Sequence, residues 1–484
     1  MSTSFYNVDR IVKRLDQEQS RRQRVDVVFK GPPYSDIGKA VEDIVAEKLR
    51  VVGVAGVPGA GKTTFYAYLL SNLLGDSLCR GAAENLYIYI APTNELLVDF
   101  LEKFAAFMSA RGGCRSSDFA KAVRIYGSKI SASEFTQLLK RADERVGLII
   151  STDWQRVYAR MYPPRPAYLL IDEASRMTLA RFLVPIADGL AKGKPDDLIR
   201  GFAVIGDPNQ AIGISEDERE WLLLEKAVQL REQGSDYVEI KRLDVSMRLP
   251  PETETPIKEG YYAGDLRAMG KPYLLGLTSD EVKEVMKRVA GDCERYGGAV
   301  EEALTKLSNT PLLYIETEVF EKGDQYDIER AKLTSCLAKA IRAAVELKKD
   351  EKRIAVVAPY GKMAFAARIL AGDADIRFST VASFLGREDD IIIAPAAKEY
   401  TDIAFWTYYF SDPYIFNVQL SRQRGTLVVI GHMTSLKEET ETLFKRSERG
   451  LKRLKKTQVE GLRKLMKTAE MFENLEETKK VVAR

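Results

Sequence analysis

The chain has 484 residues, 45% hydrophobic and 30% charged, which excludes a disordered chain and suits two to four domains. Net charge is +3, from 73 Lys+Arg against 70 Asp+Glu, which excludes a polycation while leaving room for a local basic surface. Cys79, Cys114, Cys293 and Cys336 stand apart and His432 is the sole histidine, so neither structural zinc nor a disulfide framework is expected, and hydrolase chemistry would have one histidine for its base. The opening run MSTSFYNVDRIVKRLDQEQS has no apolar leader pattern, and no stretch is apolar enough to span a membrane. The expected location is cytoplasmic, with no membrane partner.

Residues 1–50 read as helical and charged. Short apolar runs then recur: RVVGVAG (50–56), NLYIYIAP (85–92), VGLIIST (146–152), AYLLIDEA (167–174) and FAVIGD (202–207). Stretches of helical spacing separate them, such as 95–110, with a short insertion near 96–145. Strands apolar on both faces, alternating with helices, imply a parallel sheet covered on two sides. A second series follows: DYVEIKRL (236–243), PLLYIET (311–317), RIAVVAP (353–359), DDIIIAP (389–395) and TLVVIGH (426–432), with a helical insertion near 265–310. The pattern divides the chain into an α/β unit over 1–235, a second over 236–432, and a tail over 433–484 without strand signal. Between Lys445 and Lys467 the tail carries ten Lys/Arg and two Glu. Leu451, Leu454, Leu462, Leu465, Ala469 and Phe472 recur at helical spacing. This reads as an amphipathic helix docked on the body with a solvated basic face, or as a contact for nucleic acid, a protein partner or a second copy.

Gly56-Val57-Pro58-Gly59-Ala60-Gly61-Lys62-Thr63 fits the pattern GxxxxGK[ST], directly after an apolar strand and before a helical run. Such a loop curls backbone N–H groups around phosphate, and the helix N-terminus adds a favourable dipole. Gly56, Gly59, Ala60, Gly61, Lys62, Thr63 and Thr64 are the expected nucleotide-binding residues. Lys62 would neutralise the β and γ phosphates, and Thr63 would ligate Mg²⁺. The run ending Ile171-Asp172-Glu173-Ala174-Ser175 supplies two carboxylates after a buried strand. Asp172 would hold the metal through water and Glu173 would polarise the attacking water. The expected cofactors are therefore ATP and Mg²⁺.

With these residues in place, residues 50–432 resemble a superfamily 1 helicase, closest to the Upf-like branch and its viral relatives. Ala91-Pro92-Thr93-Asn94 resembles motif Ia, and Ser151-Thr152-Asp153 the next strand-contacting turn. Asp172-Glu173-Ala174-Ser175 is similar to motif II, and Gly206-Asp207-Pro208-Asn209-Gln210 to motif III. Met247-Arg248-Leu249-Pro250 resembles the arginine motif that opens the second domain. Glu329 loosely matches a ribose-side acid, and Ala358-Pro359-Tyr360 a PY turn. Thr380 through Glu388 resembles motif V, and Asn417 through Arg424 motif VI.

The resemblance implies two tandem RecA-like P-loop domains with helical insertions and a C-terminal helical tail. It implies an ATP-dependent helicase or translocase on single-stranded DNA or RNA, hydrolysing ATP at a cleft between the domains, with 5′ to 3′ direction. Catalytic roles fall on Lys62, Glu173, Gln210, Arg248 and Arg422, with Gly386 and Glu388 near the nucleotide. Guanidinium groups suit the charge of a phosphoryl-transfer transition state. Pro92, Thr93, Asn94, Thr152 and Thr380 would touch the strand's phosphates. Trp154 and Tyr126 are able to stack on bases, though core packing is the plainer reading.

The chain departs from the pattern at Leu385, where motif V carries glutamine, and at Gln419 and Ser421, where motif VI carries alanine and threonine. No glutamine occurs between residues 24 and 137 to read adenine. These departures keep open a second function, a nucleotide-dependent clamp without processive unwinding.

Overall fold

The doubly apolar runs form two all-parallel sheets in the computed structural model, which describes residues 33–80, 85–111, 123–126, 146–158, 163, 165–194, 198–210, 221–318, 327–396, 408–449 and 454–483. The first sheet comprises β1 (Val51–Gly56), β2 (Leu86–Ala91), β3 (Val123–Tyr126), β4 (Leu148–Thr152), β5 (Ala167–Ile171), β6 (Ile199–Gly206) and β7 (Val238–Leu243). Their order is β3-β4-β2-β5-β6-β1-β7. Every residue of β2, β4 and β5 is buried, as expected of strands covered on both faces. Val51, Ile88, Leu169 and Val204 share one core with Leu224 and Ala227 of the helix Leu223–Glu232.

β8 (Val245–Ser246) and β9 (Arg267–Ala268) make a short parallel pair. The second sheet comprises β10 (Leu312–Glu316), β11 (Ile354–Ala358), β12 (Ile376–Thr380), β13 (Asp389–Pro395), β14 (Gln423–Gly431) and β15 (Lys480–Val482), in the order β12-β11-β13-β14-β10-β15. Each sheet with its helices is a RecA-like unit, the expected fold class. The first unit takes in the chain to Gly56, Gly61–Pro208 and Asp217–Leu243. The second takes in Val57–Ala60, Asn209–Glu216 and Asp244 onward.

Three strand readings are corrected. The run at 236–243, read as opening the second series, is β7 and pairs with β1, Val238 opposite Val51. Only its first and last residues are buried, as suits an edge strand, and the sequence pattern alone does not say which sheet it joins. The tail, read as free of strands, ends in β15, which pairs with β10 through Val481 opposite Ile315. Neither β3 nor β12 was expected; both lie at sheet edges, and only the first residue of β12 is fully buried, so the apolar signal there is weak.

The insertion near 265–310 is helical as expected. Ser279–Val289 starts with a reciprocal capping box between Thr278 and Glu281, and Gly297–Leu307 follows. Of the charged first 50 residues, the helix Tyr34–Val45 is described and 1–32 lie outside. Most of the insertion near 96–145 also lies outside, beyond the helix Asn94–Arg111 and β3.

The tail forms the helices Met433–Glu448 and Lys456–Glu473. Leu462, Leu465, Ala469 and Phe472 are all fully buried, so this part of the apolar stripe is covered by the chain itself, while Leu454 is half-buried and Leu451 lies outside the described residues. Gly260 permits this docking, because a Cβ there would overlap Thr468. His432 acts as a helix cap, its Nδ1 accepting from Ser435 N at 3.2 Å.

A further correction concerns cysteine. Cys293 and Cys336 form a disulfide within the second core, with Cα atoms 5.3 Å apart and a sequence separation of 43. It ties the insertion to the helix Ile328–Leu347. Replacing both cysteines by serine is expected to cost about 2–4 kcal/mol of stability. Thermal unfolding with and without dithiothreitol checks this: reductant should lower the wild-type midpoint and leave the double variant unmoved.

Candidate active site

Gly56 ends β1 and Lys62 begins the helix Lys62–Arg80, so the loop between them joins a buried strand to a helix N-terminus. Gly59 and Gly61 hold φ of +74° and +72°, the region that glycine enters without penalty. Lys62 Nζ donates to Gly56 O at 3.0 Å, folding the lysine over its own loop. The first helical N–H groups have no intrahelical acceptor and so favour an anion.

The motif II carboxylates meet this loop within the first unit. Asp172 follows β5 and is fully buried. Its Oδ2 accepts from Thr63 Oγ1 at 2.6 Å and from Tyr89 OH at 2.7 Å. Its Oδ1 accepts from Glu173 N at 2.8 Å. Burial pushes the Asp172 carboxyl above its ordinary range, Glu173 adds to the rise, and the donors oppose it. Glu173 is half-buried with φ of 49°, a left-handed conformation that costs a non-glycine residue about 1–3 kcal/mol. This strain sits on the residue expected to orient water.

Thr63 and Asp172 offer a hydroxyl and a carboxylate side by side at a helix N-terminus. That donor set fits Mg²⁺, which takes one or two protein oxygens and completes its shell with phosphates and water. Thr63 would ligate the ion and Asp172 would hold its water, where it would neutralise charge on the terminal phosphates.

Sequence reasoning assigned no role to Ser175 or Tyr89. Ser175 Oγ accepts from Asp207 N at 3.2 Å, and a Cβ on Gly206 would meet Ser175 N at 2.7 Å. Motifs II and III are thereby packed into one piece. Gln210 is buried at the end of that segment.

The second unit gathers the arginine motifs. Arg248 Nη1 donates to Glu388 Oε2 at 2.9 Å, and Nη2 to Ser421 O at 2.5 Å. Arg424, given no role beforehand, also pairs with Glu388, its Nε donating at 2.8 Å. Burial works to raise the Glu388 carboxyl, but Arg248 and Arg424 hold it down to about 2. Within the same unit Met247 N donates to Gly59 O at 3.0 Å, and a Cβ on Gly59 would meet that of Arg248 at 2.6 Å. Gly386 turns at φ +80° just before these charges. Arg422 is buried, and its backbone carbonyl accepts from Asp389 N. Gln419 is a structural tie: its amide donates to Val357 O at 2.7 Å and Pro395 O at 3.1 Å.

Asn417 Nδ2 donates to Asn209 O at 2.7 Å, and Lys464 Nζ of the tail donates to Asn209 Oδ1 at 2.8 Å. Glu329, the loosely matched acid, is engaged by Arg295, Tyr296 and Lys332.

The expected strand-contacting residues are scattered in exposure. Pro92, Thr93 and Asn94 are half-buried, and Thr93 Oγ1 accepts from Leu96 N to cap the helix. Thr380 caps its own short helix with Ser383. Thr152 is buried at 3% exposure. Trp154 is not in the core: it is 44% exposed, under the Arg181 guanidinium at 4.2 Å. The Tyr126 side chain lies outside the described residues.

The depressed Glu388 carboxyl makes its ion pairs a source of stability that is full above the ordinary pKa of 4.5 and lost as pH falls through about 2. Glu388→Gln is expected to remove up to about 3 kcal/mol near neutrality. Denaturant unfolding from pH 7 to 2 checks this, and the gap between wild type and variant should close toward the acid end.

Two family models match, in chain order. A DEAD/DEAH box helicase model matches residues 37–196 and an AAA domain model matches residues 227–434. Comparison with curated proteins finds no match. Among solved structures, Arterivirus nonstructural protein 10 (helicase) with DNA is similar at TM-score 0.37 and 13% identity, over 81% of this chain and 62% of that one. The chain thus spans less than two thirds of the length of that relative. S. cerevisiae Dbp5 bound to RNA and ADP BeF3 is similar at TM-score 0.35 and 12% identity, over 84% of this chain and 86% of that one. Likeness at that level bears no functional weight. A helicase model thus matches the segment that carries the phosphate loop and Asp172-Glu173, and an AAA domain model the segment that carries Arg248 and Arg422, each over less than half of the chain.

Proposed function

We propose that the chain is an ATP-driven translocase that unwinds nucleic acid, moving 5′ to 3′ on a single strand, as a member of the Upf-like branch. The observation that carries this is the Thr63–Asp172 pair beside the phosphate loop, with Glu173 strained next to it. ATP enters with Mg²⁺ and is held by Gly56–Thr64. Lys62 neutralises the terminal phosphates and Glu173 orients the attacking water. Gln210 reads the γ-phosphate. Arg248 and Arg422, from the second unit, stabilise transition-state charge, with Glu388 orienting Arg248. Closure and reopening about the nucleotide then drive the step. Pro92, Thr93, Asn94, Thr152 and Thr380 track the strand through phosphate contacts that carry no sequence information. The strand is DNA or RNA, and a cytoplasmic location belongs to the same reading. Because the tail's apolar stripe from Leu462 to Phe472 is covered by the chain, a partner contact there would use its basic face.

A second reading is a nucleotide-dependent clamp that hydrolyses ATP without processive unwinding. Leu385 in place of a polar motif V residue favours it, since one contact coupling strand to nucleotide is missing.

ATP hydrolysis by wild type and Glu173→Gln, with and without single-stranded DNA and RNA, tests the proposal. Stimulation by one strand type is expected, falling by about 10²–10⁴-fold in the variant. Hydrolysis indifferent to both strands would overturn it, and strand-displacement activity separates motor from clamp.

A further inference from the structure

We propose that Tyr89 is a positioning residue for the magnesium-bearing side of the nucleotide site, its phenol fixing which oxygen of Asp172 is left to serve the metal. The inference deepens the reading of Thr63 and Asp172 as the pair that holds Mg²⁺, and rests on it.

An ionised carboxylate offers about four acceptor positions over its two oxygens. Oδ2 of Asp172 already takes two hydroxyl donors, Thr63 Oγ1 at 2.6 Å and Tyr89 OH at 2.7 Å. Among the described residues Oδ1 takes only Glu173 N, at 2.8 Å. The remaining position is therefore on Oδ1, and a metal-bound water has one oxygen to donate to. Thr63 uses its single proton on Asp172, which leaves its lone pairs for the metal. Tyr89 closes the second position on Oδ2, so the carboxylate cannot offer that oxygen without losing a hydrogen bond.

The phenol is itself fixed. Tyr89 lies in β2 opposite Leu170 of β5, one strand from the carboxylate it serves. It is fully buried, and its ring stacks on Phe100 with centroids 3.7 Å apart and planes 13° apart. Phe100 stacks in turn on Phe104 at 5.8 Å. Tyr66, from the helix that follows the phosphate loop, sets its ring edge-on to Tyr89 at 6.4 Å. The Tyr66 hydroxyl is also buried but bonds nothing among the described residues. Two buried phenols thus stand near Asp172, and only one is bonded to it. Hydroxyls that orient a metal-bearing carboxylate from behind usually govern metal affinity by about 10–100-fold.

The test uses the full chain as wild type, Tyr89→Phe and Tyr66→Phe. Binding of a fluorescent non-hydrolysable ATP analogue is titrated with Mg²⁺, and repeated in EDTA, without any nucleic acid. Tyr89→Phe keeps the ring stack, and thermal unfolding checks that it folds. The expected result is a half-saturating Mg²⁺ concentration about tenfold or more higher in Tyr89→Phe, with nucleotide affinity in EDTA unchanged and Tyr66→Phe following wild type. A Tyr89→Phe curve that overlays wild type, or an equal shift in Tyr66→Phe, overturns the positioning role. A wild type that binds no nucleotide overturns the nucleotide-site reading and this inference together. Binding without stimulation by either strand leaves this inference standing while the helicase reading fails.

Discussion

A carboxyl group enclosed on every side is the constraint around which the candidate site of the first unit is arranged. Asp172 sits at the end of β5, fully enclosed. An isolated buried charge is costly, so it needs hydrogen-bond donors from several directions. Three elements supply them: the helix after the phosphate loop through Thr63, β2 through Tyr89, and the strained turn through Glu173 N. The sheet order makes this convergence possible. β2 lies directly beside β5, while β6 separates β5 from β1, whose loop returns the helix over the strand ends. Ligand sites at the carboxyl ends of parallel strands follow from the same geometry.

The second unit answers a complementary demand, that of holding cations ready. Glu388 binds Arg248 and Arg424 together, and the Ser421 carbonyl takes the other end of Arg248. A planar guanidinium tied through both of its Nη groups, as Arg248 is, has little orientational freedom left. Gln419 explains its own departure from the motif VI pattern. Its carboxamide links β11 and β13 through Val357 O and Pro395 O, a linkage that alanine cannot make. The tail contributes as well, through Lys464 on Asn209.

Much of the site was legible because its parts are local. The phosphate loop is set by glycines at positive φ and a lysine within one turn, all contiguous in sequence. Motif II is a strand end followed by two acids. Such features depend on backbone conformations that neighbouring residues dictate. What escaped had no local signature. β3, β12 and β15 lie at sheet edges, and an edge strand shows only part of the apolar pattern that marks a covered one, while β7 was legible as a strand but not its pairing with β1. The Cys293–Cys336 disulfide joins residues 43 apart, with neither in a paired spacing. Trp154 lies on the surface rather than in the core, because its neighbour Asp153 pins Arg181 at 3.0 Å across its ring.

The sequence by itself determined the parts of the candidate site: a glycine-rich loop between strand and helix, two consecutive carboxylates after a buried strand, and two parallel α/β units to carry them. It did so because each motif is a short run whose backbone and side chains act together. Only the tertiary structure decided which oxygen of Asp172 is free, which tyrosine reaches it, and which sheet β7 joins. Those outcomes depend on strand order and register, which bring together residues as distant as Tyr89 and Asp172. No pattern within one segment encodes such a meeting.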